Sequence, residues 1–240
     1  MDITKTNTEI PFPSVESKIN WWATSILQIT FFGILLFFFC LFVLGPVYGI
    51  YKRGWDSMLS AALVCWTISL LILIPVIWYY IIKRKKAAHK IVVNGSGILF
   101  YNSKNEIVEQ ILYTELCSSK QDFDIYTVTT VRSSIVSLLE VTLKSEKKEN
   151  ETRRIDMNLP LQVVKNKFTL YAHFMHGISV FRPDLKIDSM VLRTFSIDPD
   201  TWKVNKSKGI SLGGWLLILA TIAVTCLLIG ISFLLFKIKN

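Results

Sequence analysis

The stretch IIKRKKAAHK, residues 81–90, decides how the chain is read. Before it lies a long uncharged apolar run, within it Lys83, Arg84, Lys85 and Lys86 stand in succession, and after it the chain breaks into short alternating segments. Short loops rich in Lys and Arg stay on the cytoplasmic side of a membrane. The four cations therefore predict that a span ends here and that the polar part of the chain begins in the cytoplasm.

Composition agrees. Of 240 residues 51% are apolar, and the mean hydropathy is +0.42, too high for an ordinary soluble domain. The excess sits in three blocks. A net charge of +9 on 27 Lys and Arg invites a nucleic-acid partner, but many of these cations flank the blocks: Lys52, Arg53, Lys90, Lys203, Lys206, Lys208, Lys237 and Lys239, beside the run at Lys83. Cations so placed orient helices and meet anionic lipid. The expected partner is the bilayer, its inner leaflet anionic, and no nucleic acid is expected. Cys40, Cys65 and Cys226 fall inside separate apolar blocks and Cys117 in the polar part, with no metal or redox spacing. No cofactor is expected.

Residues 1–20 mix charges, small polar residues, Pro11 and Pro13 without a period and are read as a flexible cytoplasmic tail. The apolar run after them is too long for a signal peptide and no small-residue cleavage site follows, so it is read as a retained span. It covers residues 21–51, with Gly45-Pro46 expected to break the helix. A polar turn leads to a second span, 57–82, in which Pro75 is expected to introduce a kink. The third covers 209–236. Trp21 and Trp22, then Trp78, Tyr79 and Tyr80, then Trp215 are expected interfacial anchors. Lys83, Arg84, Lys85, Lys86, Lys203, Lys206 and Lys208 mark the membrane surface and the topology: amino terminus inside, carboxyl terminus outside. The charge asymmetry behind this orientation is modest, because Lys52, Arg53, Lys237 and Lys239 lie on the other side.

Between the second and third spans, residues 87–207, the period changes. Ile91-Val92-Val93 and Ile98 to Tyr101 flank Asn94-Gly95-Ser96-Gly97, which reads as a hairpin. Strands are expected over 107–112, 123–131, 135–143 and 152–157. In the third of these Ile135, Leu139, Val141 and Leu143 share a face, as a half-buried strand requires. Leu161, Val164, Phe168, Tyr171, Met175 and Ile178 then recur at spacings of three and four, predicting an amphipathic helix over 161–178 with Asn158 as cap and Gly177 near its end. The fold class is thus a membrane protein, α plus β: three transmembrane helices, with a cytoplasmic half-open β-barrel capped by one helix between the second and the third.

The segment 87–177 resembles a bacterial pleckstrin-homology-like (PH-like) domain, on the strand pair around NGSG, on ILYTELCSS, which is similar to an I-x-Y-x-E-I strand-and-turn element, and on the single helix 161–178. The resemblance covers less than half the chain and implies a binding module set beside membrane helices. PH domains that hold phosphoinositides use Lys and Arg around the first hairpin loop. Here that loop is Asn94 to Gly97 and carries no cation, which argues against inositol-lipid binding.

Catalytic signatures are absent from the sequence: no G-x-S-x-G, P-loop, H-E-x-x-H or G-x-G-x-x-G before a helix. His173 and His176 face one side of a helix, but no third ligand follows at a metal-binding spacing, so no metal is expected. Asp122 with Asp124 and Asp198 with Asp200 fit turn chemistry. The spans hold no ionisable Asp, Glu, Lys, Arg or His, which disfavours a single-chain carrier or pump. The leading expectation is a non-enzymatic, membrane-anchored interaction or scaffold protein of the bacterial inner membrane, whose PH-like domain binds a protein partner or the inner leaflet. Two alternatives stand beside it: an envelope immunity protein that neutralises a membrane-acting toxin, and a subunit of an oligomeric channel or translocation complex. The last draws on Thr24, Ser25, Gln28, Thr30, Thr221, Thr225 and Ser232, and leaves homo-oligomerisation open.

Overall fold

The computed structural model describes residues 12–128, 137–144, 151–205 and 212–239. In chain order the elements are β1 (Val15–Glu16), α1 (Trp21–Phe39), a π-type turn (Cys40–Leu44), α2 (Gly45–Arg53), α3 (Trp55–Lys86), β2 (Lys90–Asn94), β3 (Gly97–Tyr101), β4 (Ile107–Leu112), a 3₁₀ turn (Tyr113–Glu115), β5 (Ile125–Val128), β6 (Leu138–Leu143), β7 (Glu151–Ile155), α4 (Lys167–Phe181), α5 (Ser189–Thr194) and α6 (Leu212–Lys239). They form two units. A helical unit takes in Asn20–Ala87, Pro160–Val163 and α6, and an α/β unit takes in most of the rest.

In the helical unit, Asn20 caps α1 by accepting the Ala23 N–H at 3.3 Å. The expected break at Gly45-Pro46 does not occur. Proline lacks an N–H and its ring crowds the carbonyl four residues back. The helix answers by widening into the π-type turn, where the Gly45 N–H donates to the Cys40 carbonyl, and then continues to Arg53. The stretch Trp21–Arg53 has 33 residues, with an 18-residue window of mean hydropathy 2.6, and Trp55–Tyr80 has 26 residues, with such a window at 2.4. Both are long and apolar enough to cross a membrane. Pro75 lies inside α3. α6 has 28 residues, and its described side chains, Gly214–Gly230, are apolar as well.

The α/β unit holds two small antiparallel sheets, ordered β1-β2-β3-β4 and β5-β6-β7. The expected hairpin is β2–β3, with Asn94 paired to Gly97 and Asn94 Oδ1 accepting the Ser96 N–H at 2.9 Å. Gly97 has φ +146°, and a Cβ there would fall on the Ile111 carbonyl of β4, so only glycine lets the two strands approach. Inward residues of both sheets, among them Ile91, Ile98, Ile111, Leu139 and Ile155, meet Leu170, Phe174 and Ile178 of α4 in one core.

Three expectations change. The tail is not free over residues 12–20: Val15 and Glu16 pair with Val93 and Val92, the Ser17 N–H donates to the Ile91 carbonyl at 2.8 Å, and Glu16 bridges Lys90 at 2.8 Å. Residues 1–11 lie outside the described residues. The helix expected over 161–178 begins at Lys167 and runs to Phe181. Leu161 takes φ +55° and Val164 pairs with Ile19 as a β-bridge, so the residues after Pro160 are extended or turned and Asn166, not Asn158, precedes the helix. Gly177 does lie near its end, and the Tyr113 ring packs where a Cβ would stand. Of the expected strands 123–131 and 135–143, the described parts are β5 and β6, while 129–136 lie outside the described residues.

Tyr113 is 2% exposed, stacks on Phe174 and Phe181 at 5.4 and 5.2 Å, and its hydroxyl has no hydrogen-bond partner among the described residues. Burial pushes its pKa well up. Tyr113→Phe is expected to stabilise the unit by about 1 kcal/mol, because it removes a buried unpaired hydroxyl. Gly177→Ala is expected to destabilise it by about 3 kcal/mol through overpacking. Thermal melts of the full chain in detergent, followed by near-ultraviolet circular dichroism, check both; a downward shift for Tyr113→Phe contradicts the first.

Candidate membrane interface and docking edges

The helical unit brings most of the expected anchors toward one end. α1 and α3 run antiparallel: Trp66 Nε1 donates to the Val43 carbonyl at 3.4 Å, and the Tyr80 ring stands edge-on to Phe32 at 5.5 Å. α1 and α6 run parallel: the hydroxyls of Thr30 and Thr221 lie 2.6 Å apart, and a Cβ on Gly33 would be 2.7 Å from Val224. The anchors therefore form two tiers. Trp78, Tyr79 and Tyr80 lie near the level of Phe31 and Phe32, whereas Trp21 and Trp22 stand about ten residues nearer the start of α1, ~15 Å along its axis, and Trp215, in the register of Thr221 on Thr30, comes near the level of Thr24. Trp21, Trp22, Trp78, Tyr79 and Trp215 are exposed, as lipid-level aromatics are. Lys83, Arg84, Lys85 and Lys86 close α3, and their side chains lie outside the described residues, as do Lys206 and Lys208. Lys203 is exposed, and its carbonyl accepts the Asp198 N–H at 2.9 Å.

Thr24, Gln28, Thr30, Thr221 and Thr225 find partners within the chain. The Asn20 N–H donates to the Val163 carbonyl at 2.8 Å, the Val163 N–H donates to Thr24 Oγ1 at 3.0 Å, and Gln28 Nε2 donates to the Leu161 carbonyl at 3.3 Å. The hydroxyls of Thr30 and Thr221 each also lie 2.8 Å from a carbonyl one turn back, Ile26 for Thr30 and Leu217 for Thr221, so one of the pair donates to its carbonyl while the other donates across the helix pair. Their spacing in the sequence marks a polar face, but nothing there names Pro160–Val163 as what meets it.

In the α/β unit β4 and β7 each end a sheet, with no further strand on them among the described residues. A cleft of about 510 Å³ opens there, lined by Ile107, Val108, Glu109, Gln110 and Arg153, and the Arg153–Glu109 ion pair at 2.8 Å spans it. Ile107 and Val108 are 50% and 40% exposed, unusual for two adjacent β-branched residues. Gln110 faces Leu99 in the register. The Tyr113 N–H bonds the Ser96 carbonyl, and the alternation of an antiparallel ladder then turns the Gln110 backbone groups outward.

On the second sheet Tyr126, Glu140 and Arg154 are directly opposite one another across β5, β6 and β7. Glu140, only 8% exposed, accepts the Tyr126 hydroxyl at 2.6 Å and Arg154 Nε at 2.8 Å. Burial, then the bond to Glu140, pushes the Tyr126 pKa up to about 12. This triad was not legible in the sequence, because its three members become neighbours only through register. Asp124 is structural: its carboxylate accepts the N–H groups of Ser119 at 2.6 Å and Lys186 at 2.8 Å. Asp198 accepts the Asp200 N–H at 3.0 Å, closing a turn.

Among the described residues no group of three His, Cys, Asp or Glu is placed to hold a metal ion, and His173 and His176 have other neighbours. They form instead the seat for the amino-terminal segment. The His173 Nε2–H donates to the Pro13 carbonyl at 2.6 Å, Phe12 stacks on the His173 ring at 4.3 Å, and Trp202 stacks on His176 at 5.7 Å. In comparisons with known proteins, no family model, curated protein or solved structure matches this chain.

Burial lowers the His173 pKa, and the charge of His176 adds to the effect, against the Pro13 bond that raises it. A folded pKa below the unfolded value of about 6.5 means that the unfolded chain binds the proton more tightly. The associated stability is present above about pH 6.5 and is lost as pH falls through the folded pKa. Wild type is therefore expected to lose more stability than His173→Gln between neutral and mildly acidic pH. Melting curves across that range check this, and parallel curves contradict it.

Proposed function

We propose that this chain is a non-enzymatic, membrane-anchored interaction protein of the bacterial inner membrane, whose α/β unit is a PH-like half-open barrel in the cytoplasm that docks a protein partner. On this reading α1 with α2, then α3, then α6 are three spans, with the amino terminus inside and the carboxyl terminus outside. The observation that carries the proposal is the exposed edge of β4, with Ile107 and Val108 beside an open cleft, on a domain inserted in the chain between apolar helices. An unpaired edge presents a row of main-chain donors and acceptors to which an extended segment adds as a further strand.

Supporting the absence of catalysis, several charged groups of the two sheets are engaged structurally: Arg153 with Glu109, Arg154 and Tyr126 with Glu140, and Asp188 with the Met190 N–H. The pairing of Thr30 with Thr221 favours a packing role for the polar residues of α1 and α6 over a pore lining.

The test uses the full chain in cells with a photo-crosslinking residue at Val108 and, as reference, at Thr169 on α4. A discrete adduct from position 108 alone, lost when Ile107 is replaced by Lys, is the expected result. The same adducts from both positions, or none, sink the docking edge. For orientation, a reporter active only outside the membrane is expected to work when fused after Asn240 and to fail when fused after Asn205; the reverse pattern overturns the topology.

A further inference from the structure

We infer that Lys18, Lys165 and Lys167 form a cationic contact for the phosphate groups of anionic phospholipids, at the point where the chain enters α1. The inference rests on the reading of α1 as a membrane span and adds to it residues that the cation runs at Lys83 and Lys203 do not include.

The β-bridge between Ile19 and Val164 sets Lys18 and Lys165 directly opposite each other, with the Lys165 N–H donating to the Lys18 carbonyl at 2.7 Å. Asn166 locks this arrangement: its Oδ1 accepts the Lys18 N–H at 2.6 Å and its Nδ2 donates to the Glu16 carbonyl at 2.8 Å. Like charges directly opposite on paired strands repel, so the pair costs stability unless an anion lies between them. Lys167 follows, its ammonium 5.3 Å from the centre of the Phe168 ring. The acid nearest in sequence, Glu16, is occupied by Lys90 at 2.8 Å, and the first turn of α4 has no acidic residue. Among the described residues no carboxylate pairs with any of the three lysines.

The chain itself places this cluster. Two residues after Lys18 comes Asn20, the cap of α1, and then the exposed indoles of Trp21 and Trp22. Indoles settle at the headgroup level and lysines reach the phosphates beside them. A single lysine near an anionic leaflet gains about fivefold in occupancy, and three together about a hundredfold.

The test reconstitutes the full chain in vesicles of phosphatidylcholine alone, or of equal parts phosphatidylcholine and phosphatidylglycerol, and follows acylation of individual lysines by mass spectrometry. Lys104, on the β3–β4 turn at the opposite edge of the sheet from β1, is the reference amine. Acylation of Lys18, Lys165 and Lys167 is expected to slow about fivefold or more in the mixed vesicles, with Lys104 unchanged. A variant carrying Lys18→Gln, Lys165→Gln and Lys167→Gln is expected to retain fewer phosphatidylglycerol molecules in native mass spectrometry. Equal rates in both vesicles overturn the inference. Equal protection by soluble glycerol phosphate in neutral vesicles also overturns it, by assigning the site to a soluble phosphate compound. Loss of the chain from vesicles on alkaline washing sinks the membrane reading itself, whereas retention without protection sinks this contact alone.

Discussion

The Asn166 carboxamide ties three parts of the chain together. By bonding the Lys18 N–H and the Glu16 carbonyl it holds the segment between β1 and α1 against the residue from which α4 departs. With the Ile19–Val164 bridge beside it, the backbone of that segment finds its partners without a further strand. The cost of an unpaired backbone group makes such a bond strongly directive. β1 therefore lies on β2, and α4 starts at Lys167 and not at Leu161.

Once α4 is so placed, its inner face closes the core. Leu170, Phe174 and Ile178 lie against both sheets, and Gly177 lets the Tyr113 ring come down onto the helix. Arg182, at the end of α4, donates to the carbonyls of Tyr113 and Leu116 and pairs with Asp184 at 2.7 Å, so the helix end also holds the crossover from β4 toward the second sheet. That crossover continues as a short pairing with the end of β6, where the Cys117 N–H donates to the Thr142 carbonyl at 3.0 Å. Among the described residues β4 and β7 take no further strand, and Ile107 and Val108 of β4 are exposed.

In the helical unit the governing constraint is different. A helix satisfies its own backbone hydrogen bonds, so apolar side chains on every side suffice to define it. What remained to be settled was how it treats proline. At Pro46 the ladder widens by one residue into a π-type turn and the helix persists to Arg53, which lengthens the first apolar stretch well beyond Leu44.

The sequence by itself determined the two long apolar helices, the NGSG hairpin, β4 to the residue, and the sidedness of α4, because each follows from composition or from a period within a dozen residues. Its limits show at particular residues. Val164 continues the helical spacing but pairs as a strand, Leu161 adopts a left-handed backbone that its neighbours do not announce, and Val15-Glu16 has no period at all. The Tyr126–Glu140–Arg154 triad, the seat of Phe12 on His173, the bonds from Thr24 and Gln28 to Pro160–Val163, and the meeting of Lys18 with Lys165 were decided only by the tertiary structure. Each joins residues far apart in the chain through strand register or through a backbone group that needed a partner, and a local pattern carries no record of either.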